Sequence, residues 1–255
     1  MDQATLYDVE AGVATITLNR PDNRNALSVE LIDSLAGHLE DALADELVRV
    51  IMLTNTGGTF CAGADLSSSK PAGQPGSGRT FVDVFEMILD SPKPVIGRIA
   101  GHCMGGGVGL AASCDISVAI DSAKLGFTEV RLGVIPAIIS VVCLPKMRQG
   151  DARELFLTGE RISARRAAEV GIISRAVPDD ELDAALAEIV GNVVKGAPKA
   201  LGLAKSLVAR VPTMERSAAF QTLAKESAEL FAGEEAAEGI AAFRERRDAA
   251  WIPGN

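Results

Sequence analysis

Histidine is nearly missing from the 255 residues. His38 and His102 are the only two, so a histidine-based metal centre or a Ser/His/Asp triad has almost no raw material. His38 falls in a polar helical stretch and reads as a solvated side chain; His102 adjoins a glycine cluster and reads as a packing residue. An excess of positive charge is missing too. With 25 Lys and Arg against 34 Asp and Glu the net charge is −9, and the basic residues are scattered, which excludes the basic face that a nucleic-acid partner needs. No membrane signal stands out: the apolar stretch 103–114 is too short and too rich in glycine, and the N-terminus has no basic region ahead of an apolar core. The expected location is therefore the cytoplasm. Cys61, Cys103, Cys114 and Cys143 make no CxxC pair and have no histidines at ligand spacing, so reduced, buried thiols are expected and a metal is not.

What is present is a chain 47% hydrophobic and 23% charged, long enough to bury a sizeable core. The runs "VATITLN" (13–19), "VRVIMLTN" (48–55), "PVIGRIA" (94–100) and "DISVAI" (115–120) read as strands. Helical periodicity fills 28–45, where Ser28 is a plausible N-cap, and recurs near 80–90 and 106–113. Alternation of this kind predicts an α/β layered core. The segment "SSSKPAGQPGSG" (67–78) has a loop composition, fitting a lid or a surface insertion equally well. Beyond about residue 146 strand signals fade and a helical module is expected, its Ala-rich helices either covering the core or contacting another subunit.

Two places carry chemistry. In "GHCMGGGVGLAASCDI" (101–116) three consecutive glycines precede a helix, each costing about 1 kcal/mol against alanine inside it unless a ligand must press on the peptide itself. The helix start offers outward N–H groups that favour negative charge. No Gly-Lys-Ser/Thr follows and the dinucleotide glycine spacing is absent, so a phosphate loop is excluded. The second place is "FCAGADL" (60–66), where Gly63 permits a tight turn and Ala64 exposes an N–H beside only a methyl group. Two such turns aimed at one oxygen would form an oxyanion hole, each donor contributing roughly 3–4 kcal/mol in a transition state.

The segments "LNRPDNRNALS", "TFCAGADL", "GHCMGGGVGL", "CDI" and "TEVRLGVIP", in this order and spacing, resemble the crotonase, or enoyl-CoA hydratase/isomerase, superfamily, and "GEEAAEGIAAFRERR" is similar to its closing helix. The resemblance spans nearly the whole chain. It implies an α/β fold, a crotonase-like spiral of ββα repeats over residues 1–195, followed by a C-terminal helical trimerisation region over 196–255, assembled as a homotrimer or a hexamer (a dimer of trimers). It further implies an acyl-CoA thioester substrate, coenzyme A being part of the substrate and no separate cofactor, with the thioester oxygen held by the Ala64 and Gly106 amides. The positions matching contacts to CoA or substrate are Arg24, Ala26, Ala62, Asp65, Leu66, Met104 and Thr128, with Phe243 and Arg246 over the nucleotide end, from the same or a neighbouring chain.

The family's best-known hydratases carry two glutamates, and here the chain departs from them. The later one matches Glu129; the earlier position is Gly109. Glu129 sits among Phe127, Val130, Leu132, Val134 and Ile135, a setting that should raise its pKa and suit proton transfer, the bland alternative being a salt bridge to Arg131. Gly109 is expected to enlarge the acyl pocket for a branched or bulky group, and Glu86, Asp83, Ser140 or His102 to make up for the lost carboxylate. "TEVRLGVIPAIIS" resembles branched-chain, methylglutaconyl-type hydratases, which favours hydration of a 2-enoyl-CoA; double-bond isomerisation with the same three positions is the alternative. A noncatalytic CoA-binding protein and a ring-opening hydrolase or decarboxylase stand behind these.

Overall fold

A computed structural model describes residues 3–66 and 78–252. The chain opens with a hairpin of β1 (Thr5–Glu10) and β2 (Val13–Leu18), closed by Ala11 and Gly12, both at positive φ as a two-residue hairpin turn requires. Helix α1 (Val29–Ala44) follows, its first turn capped by the Ser28 side chain, and returns the chain to β3 (Val50–Asn55), parallel to β2.

From β3 onward one unit repeats. A long buried strand joins a large sheet, a three-residue strand joins a small one, and a helix brings the chain back. The first turn is β3, β4 (Thr59–Cys61), α2 (Phe81–Asp90); the second is β5 (Val95–Ile99), β6 (His102–Met104), α3 (Gly106–Ser113); the third is β7 (Ile116–Ile120), β8 (Lys124–Gly126), α4 (Ala137–Cys143). Then come α5 (Gln149–Thr158), β9 (Arg161–Ser163), α6 (Ala164–Glu169), β10 (Arg175–Val177) and α7 (Leu182–Val193). The large sheet runs β1-β2-β3-β5-β7-β10 and the small one β4-β6-β8-β9. Strands β4, β6 and β8 are parallel neighbours, with Cys61 beside Cys103 and Met104 beside Gly126. Their C-terminal ends therefore open side by side, the usual place for ligands in parallel sheets.

One face of the large sheet and the small sheet share a core with α1–α6, including Ile16, Leu35, Leu53, Phe60, Val108 and Phe127. On the opposite face Val50, Ile96 and Val118 are covered by Leu182, Leu186 and Ile189 of α7. Lysines tie the C-terminal carbonyls of three helices to the framework: Lys93 Nζ donates to Ala42 O, Lys146 Nζ to Ala112 O and Lys205 Nζ to Ile88 O, each a cation at the negative helix end. Residues beyond 196 form α8 (Pro198–Arg210), α9 (Arg216–Phe231) and α10 (Glu234–Glu245), joined to the core through Arg49, whose guanidinium donates to the Gly196 and Trp251 carbonyls. Phe220, Phe231 and Phe243 on these helices are exposed.

Two expectations are corrected. Strands do not end at 146, since β9 and β10 close the small and large sheets; at three residues each they are too short for alternation to show. His38 is not a free surface side chain: its Nδ1 is 2.8 Å from Thr5 Oγ1 and its ring stacks on Tyr7 at 5.1 Å, fastening α1 to β1. The segment read as a lid or insertion, 67–78, lies outside the described residues except for Gly78. All four cysteines are buried free thiols, and burial pushes Cys61, Cys114 and Cys143 up to about 12. Among the described residues no helix is long and apolar enough to cross a membrane.

Candidate active site

The exits of β4, β6 and β8 converge. After β4 the chain turns through Gly63, at φ +88°, into Ala64; after β6 it turns through Gly105, at φ +51°, into the first turn of α3. Neither conformation suits a residue with a Cβ. The two turns touch: a Cβ built on Gly63 would stand 3.0 Å from Gly106 N, and one on Gly106 would stand 3.8 Å from Ala64 N. Among the described residues no acceptor takes the N–H of Ala64 or of Gly106. Two unsatisfied donors on adjoining turns, one of them at a helix N-terminus, make a place for an oxygen that gains negative charge.

The first turn is held from outside by residues 24–27, where Ala62 N donates to Arg24 O (3.0 Å) and Leu27 N to Gly63 O (2.8 Å). Asn25 fixes this loop. It is fully buried in a left-handed conformation, φ +52°, accepts from Arg20 N, and donates to the Thr56 and Thr59 carbonyls. Asn25→Ala is expected to destabilise the fold by about 3 kcal/mol, the sum of stranded carbonyls and left-handed strain, read as a lowered denaturation midpoint.

Past β8, residues Thr128–Leu132 make a 3-10 turn closed by Gly133 in the left-handed region. This turn lays the Glu129 carboxylate over the second glycine turn: a Cβ on Gly105 would be 3.1 Å from Oε1. Oε2 is buried and has no partner among the described residues. Burial raises the Glu129 pKa above the ordinary glutamate value, and a hydrogen bond from its own backbone opposes this weakly. Arg131 is turned away, its Nε donating to Thr158 O at 3.1 Å, so the salt-bridged alternative fails.

Ala64, Gly106 and Glu129 share the wall of one cavity of about 250 Å³. Its remaining lining is apolar apart from Thr128 and includes Leu27, Phe81, Ile135, Ile138 and Ile139. A ligand there meets two free amides, one poised carboxyl and a greasy wall, the surroundings of a thioester rather than of a sugar or a phosphate.

Comparison with known proteins agrees. The enoyl-CoA hydratase/isomerase family model matches residues 8–253. The chain belongs to that family. It is 32% identical over 251 residues to the short-chain-enoyl-CoA hydratase of Clostridium acetobutylicum, covering 95% of each chain. Among solved structures, an enoyl-CoA hydratase of Mycobacterium smegmatis superposes with a TM-score of 0.90 at 30% identity, covering 98% of this chain and 99% of that one. One from Mycobacterium avium is 42% identical, with a TM-score of 0.75 and coverage of 98% and 100%. The fold is accordingly the crotonase fold, and its ββα spiral is the repeat that aligns the three exits.

Within this enoyl-CoA hydratase/isomerase fold, the other matched positions divide. Ala62, Leu66 and Thr128 line the cavity; Arg24, Ala26, Asp65 and Met104 stand beside it without forming its wall. Phe243 is exposed on α10, and Arg246 ends that helix in a left-handed C-cap. The expectation that Gly109 widens the pocket is overturned. A Cβ there would lie 2.4 Å from Ile139 Cγ2 and 3.0 Å from Phe85 Cζ, so the space is already filled by side chains from α4 and α2.

None of the suggested substitutes for a second carboxylate lines the cavity. Asp83 closes a capping box with Thr80, Ser140 Oγ donates to Ala137 O, His102 Nδ1 accepts from Lys124 N, and Glu86 is exposed. Residues 67–77 contain no Asp or Glu. Glu129 is thus the one carboxylate on the described wall. No group of three His, Cys, Asp or Glu suited to a metal occurs among the described residues. Sequence reasoning missed Asn25, Phe81, Ile138 and Ile139. The apolar run "IPAIIS" directly after the Glu129 turn was the available signal for the last two.

Proposed function

We propose that this chain adds water across the double bond of a 2-enoyl-CoA thioester. The observation that supports it is the desolvated Glu129 carboxylate, its Oε2 without a partner among the described residues, on the wall of the cavity that two free amides share. The thioester oxygen lies between the Ala64 and Gly106 N–H groups. Water attacks the carbon distal to the thioester, its proton passing to Glu129 while the double-bond electrons move to the thioester oxygen as an enolate. Glu129 then returns that proton to the carbon next to the thioester, the enolate collapses, and the carboxylate is restored. One carboxyl closes the cycle, because the proton it takes is the proton it gives. The amides act on the enolate more strongly than on the neutral carbonyl, which is what accelerates the step.

Arg24, Ala26, Asp65 and Met104 carry the CoA portion outside the cavity, and Ala62, Leu66 and Thr128 its approach to the thioester. CoA is part of the substrate, and no further cofactor or metal takes part. Assembly into trimers or paired trimers, with Phe243 and Arg246 near the nucleotide end of the substrate, is part of this reading, and the exposed aromatic residues of α9 and α10 support contact with another subunit. The compartment we assign is the cytoplasm.

A second reading, shift of a 3-enoyl-CoA double bond to the 2-position, is favoured by the single carboxylate, since one base suffices to carry a proton between two carbons of the same chain. Incubation separates the two. Loss of conjugated-thioester absorbance from a 2-enoyl-CoA, with a 3-hydroxyacyl-CoA recovered, is the expected result; appearance of that absorbance from a 3-enoyl-CoA, with 2-enoyl-CoA inert, replaces hydration by isomerisation.

A further inference from the structure

We infer that Ile139 excludes acyl chains branched at the reacting carbons from this site, and that the uncharged wall around it disfavours acyl chains carrying a charge. The inference rests on the reading of the cavity as an acyl-CoA site and adds the substrate class. Gly105, Gly106 and Gly109 follow one another at i, i+1 and i+4, so Gly109 stands one helical turn above the free amide on the same face of α3. Ile139 is seated on it. It is 3% exposed, its Cγ2 and Cβ lie 2.4 and 2.9 Å from where a Gly109 Cβ would be, and Phe85 Cζ lies 3.0 Å from the same point. Ile139 is also a lining residue of the cavity.

Ile139 therefore borders the space above the paired amides, where the reacting carbons lie. Whatever volume Gly109 concedes, Ile139 has taken. A methyl branch directed there meets a close-packed β-branched side chain whose χ1 has little freedom. The remaining acyl wall is Phe81, Leu132, Val134, Ile135 and Ile138, and among the described lining residues none carries a positive charge. A distal carboxylate would find no counter-ion among the described lining residues, in a cavity that already holds the Glu129 carboxylate. The branched acyl group suggested by the methylglutaconyl-type resemblance fits this wall poorly.

The test uses saturated thioesters, which bind without turnover, and isothermal titration calorimetry of the full chain. A misfit of one methyl group in an apolar pocket is worth about 10- to 200-fold. Wild type is expected to bind 3-methylbutyryl-CoA and glutaryl-CoA each about tenfold or more weakly than butyryl-CoA. In Ile139→Ala the penalty on the branched thioester should shrink to about threefold or less, with that on glutaryl-CoA unchanged. Ile139→Val, which removes one methyl and guards against a folding failure, should move the ratio the same way by less. Equal binding of branched and straight thioesters by wild type, or a ratio that neither variant moves, overturns the inference. If no thioester binds, the acyl-CoA reading of the cavity falls with it; if they bind in the expected order but 2-enoyl-CoA is not hydrated, only the reaction falls.

Discussion

Glu129→Gln is expected to lower kcat by about a thousandfold, within the range for loss of a general base, while leaving the binding of a saturated acyl-CoA within about threefold. Glutamine keeps the shape of the side chain but takes up no proton, so every step that passes through Oε1 or Oε2 stops. Stability should move the other way. Burial holds the folded-state pKa above its unfolded value, so the folded chain binds this proton more tightly than the unfolded chain does. Stability then falls as pH rises through the interval between the two values, and the whole penalty is present above the folded one. The amide carries no such penalty. Its Tm should exceed wild type at pH 7 and approach it below the ordinary glutamate pKa, where both side chains are neutral. The same sign governs the rate. The working form is the carboxylate, so wild-type kcat/KM declines as pH drops through a value higher than an ordinary glutamate's, and residual activity in the variant should lack that limb. Undiminished turnover in a folded Glu129→Gln protein would remove Glu129 from the reaction.

Much of this site was legible because its parts sit where local rules are broken. Three glycines at a helix start, and Gly-Ala after a strand, are poor choices for packing and good ones for exposing amides; the residues alone marked them as candidate turns, and the family resemblance gave them the oxyanion role. Of the long strands, β2, β3, β5 and β7 were readable because they are rich in β-branched residues, whereas β1, largely open to solvent, was not. The short strands of the small sheet were not, since three residues give no period, and it is their parallel alignment that turns three distant segments into one site. The resemblance to the crotonase family supplied that juxtaposition. What neither pattern nor resemblance conveyed was packing. Gly109 suggested space, yet whether a missing side chain leaves a hole depends on what neighbouring helices place there, and Ile139 and Phe85 lie 30 residues downstream and 24 upstream. Asn25 was passed over between two positions named as contacts. Its importance lies in carbonyls 31 and 34 residues away, which no local rule reveals.

Gly63→Ala adds a methyl group at the site without touching Glu129, and it should remove most of the turnover. The backbone at Gly63 has φ +88°, a region costing an L-residue about 1–2 kcal/mol. The new Cβ would lie 2.8 Å from Met104 O and 3.0 Å from Gly106 N, both backbone atoms held by β6 and the start of α3. Neither neighbour is a flexible side chain, so one of the two turns must shift. Either shift separates the Ala64 and Gly106 amides, and losing one oxyanion donor costs about 10²- to 10³-fold in kcat. Gly78→Ala separates strain from displacement. It shares the conformation, φ +91°, but among the described residues its Cβ would meet only Asp33 Oδ1, at 3.8 Å. Stability should therefore fall in both variants, by about 1–2 kcal/mol from strain alone in Gly78→Ala and by more in Gly63→Ala. Only Gly63→Ala should lose turnover, with KM changed far less than kcat, because the amides grip the enolate and not the resting carbonyl. Full kcat in a folded Gly63→Ala enzyme would mean that the oxygen is stabilised elsewhere, and the pairing of these two turns would have to be abandoned as the origin of the rate.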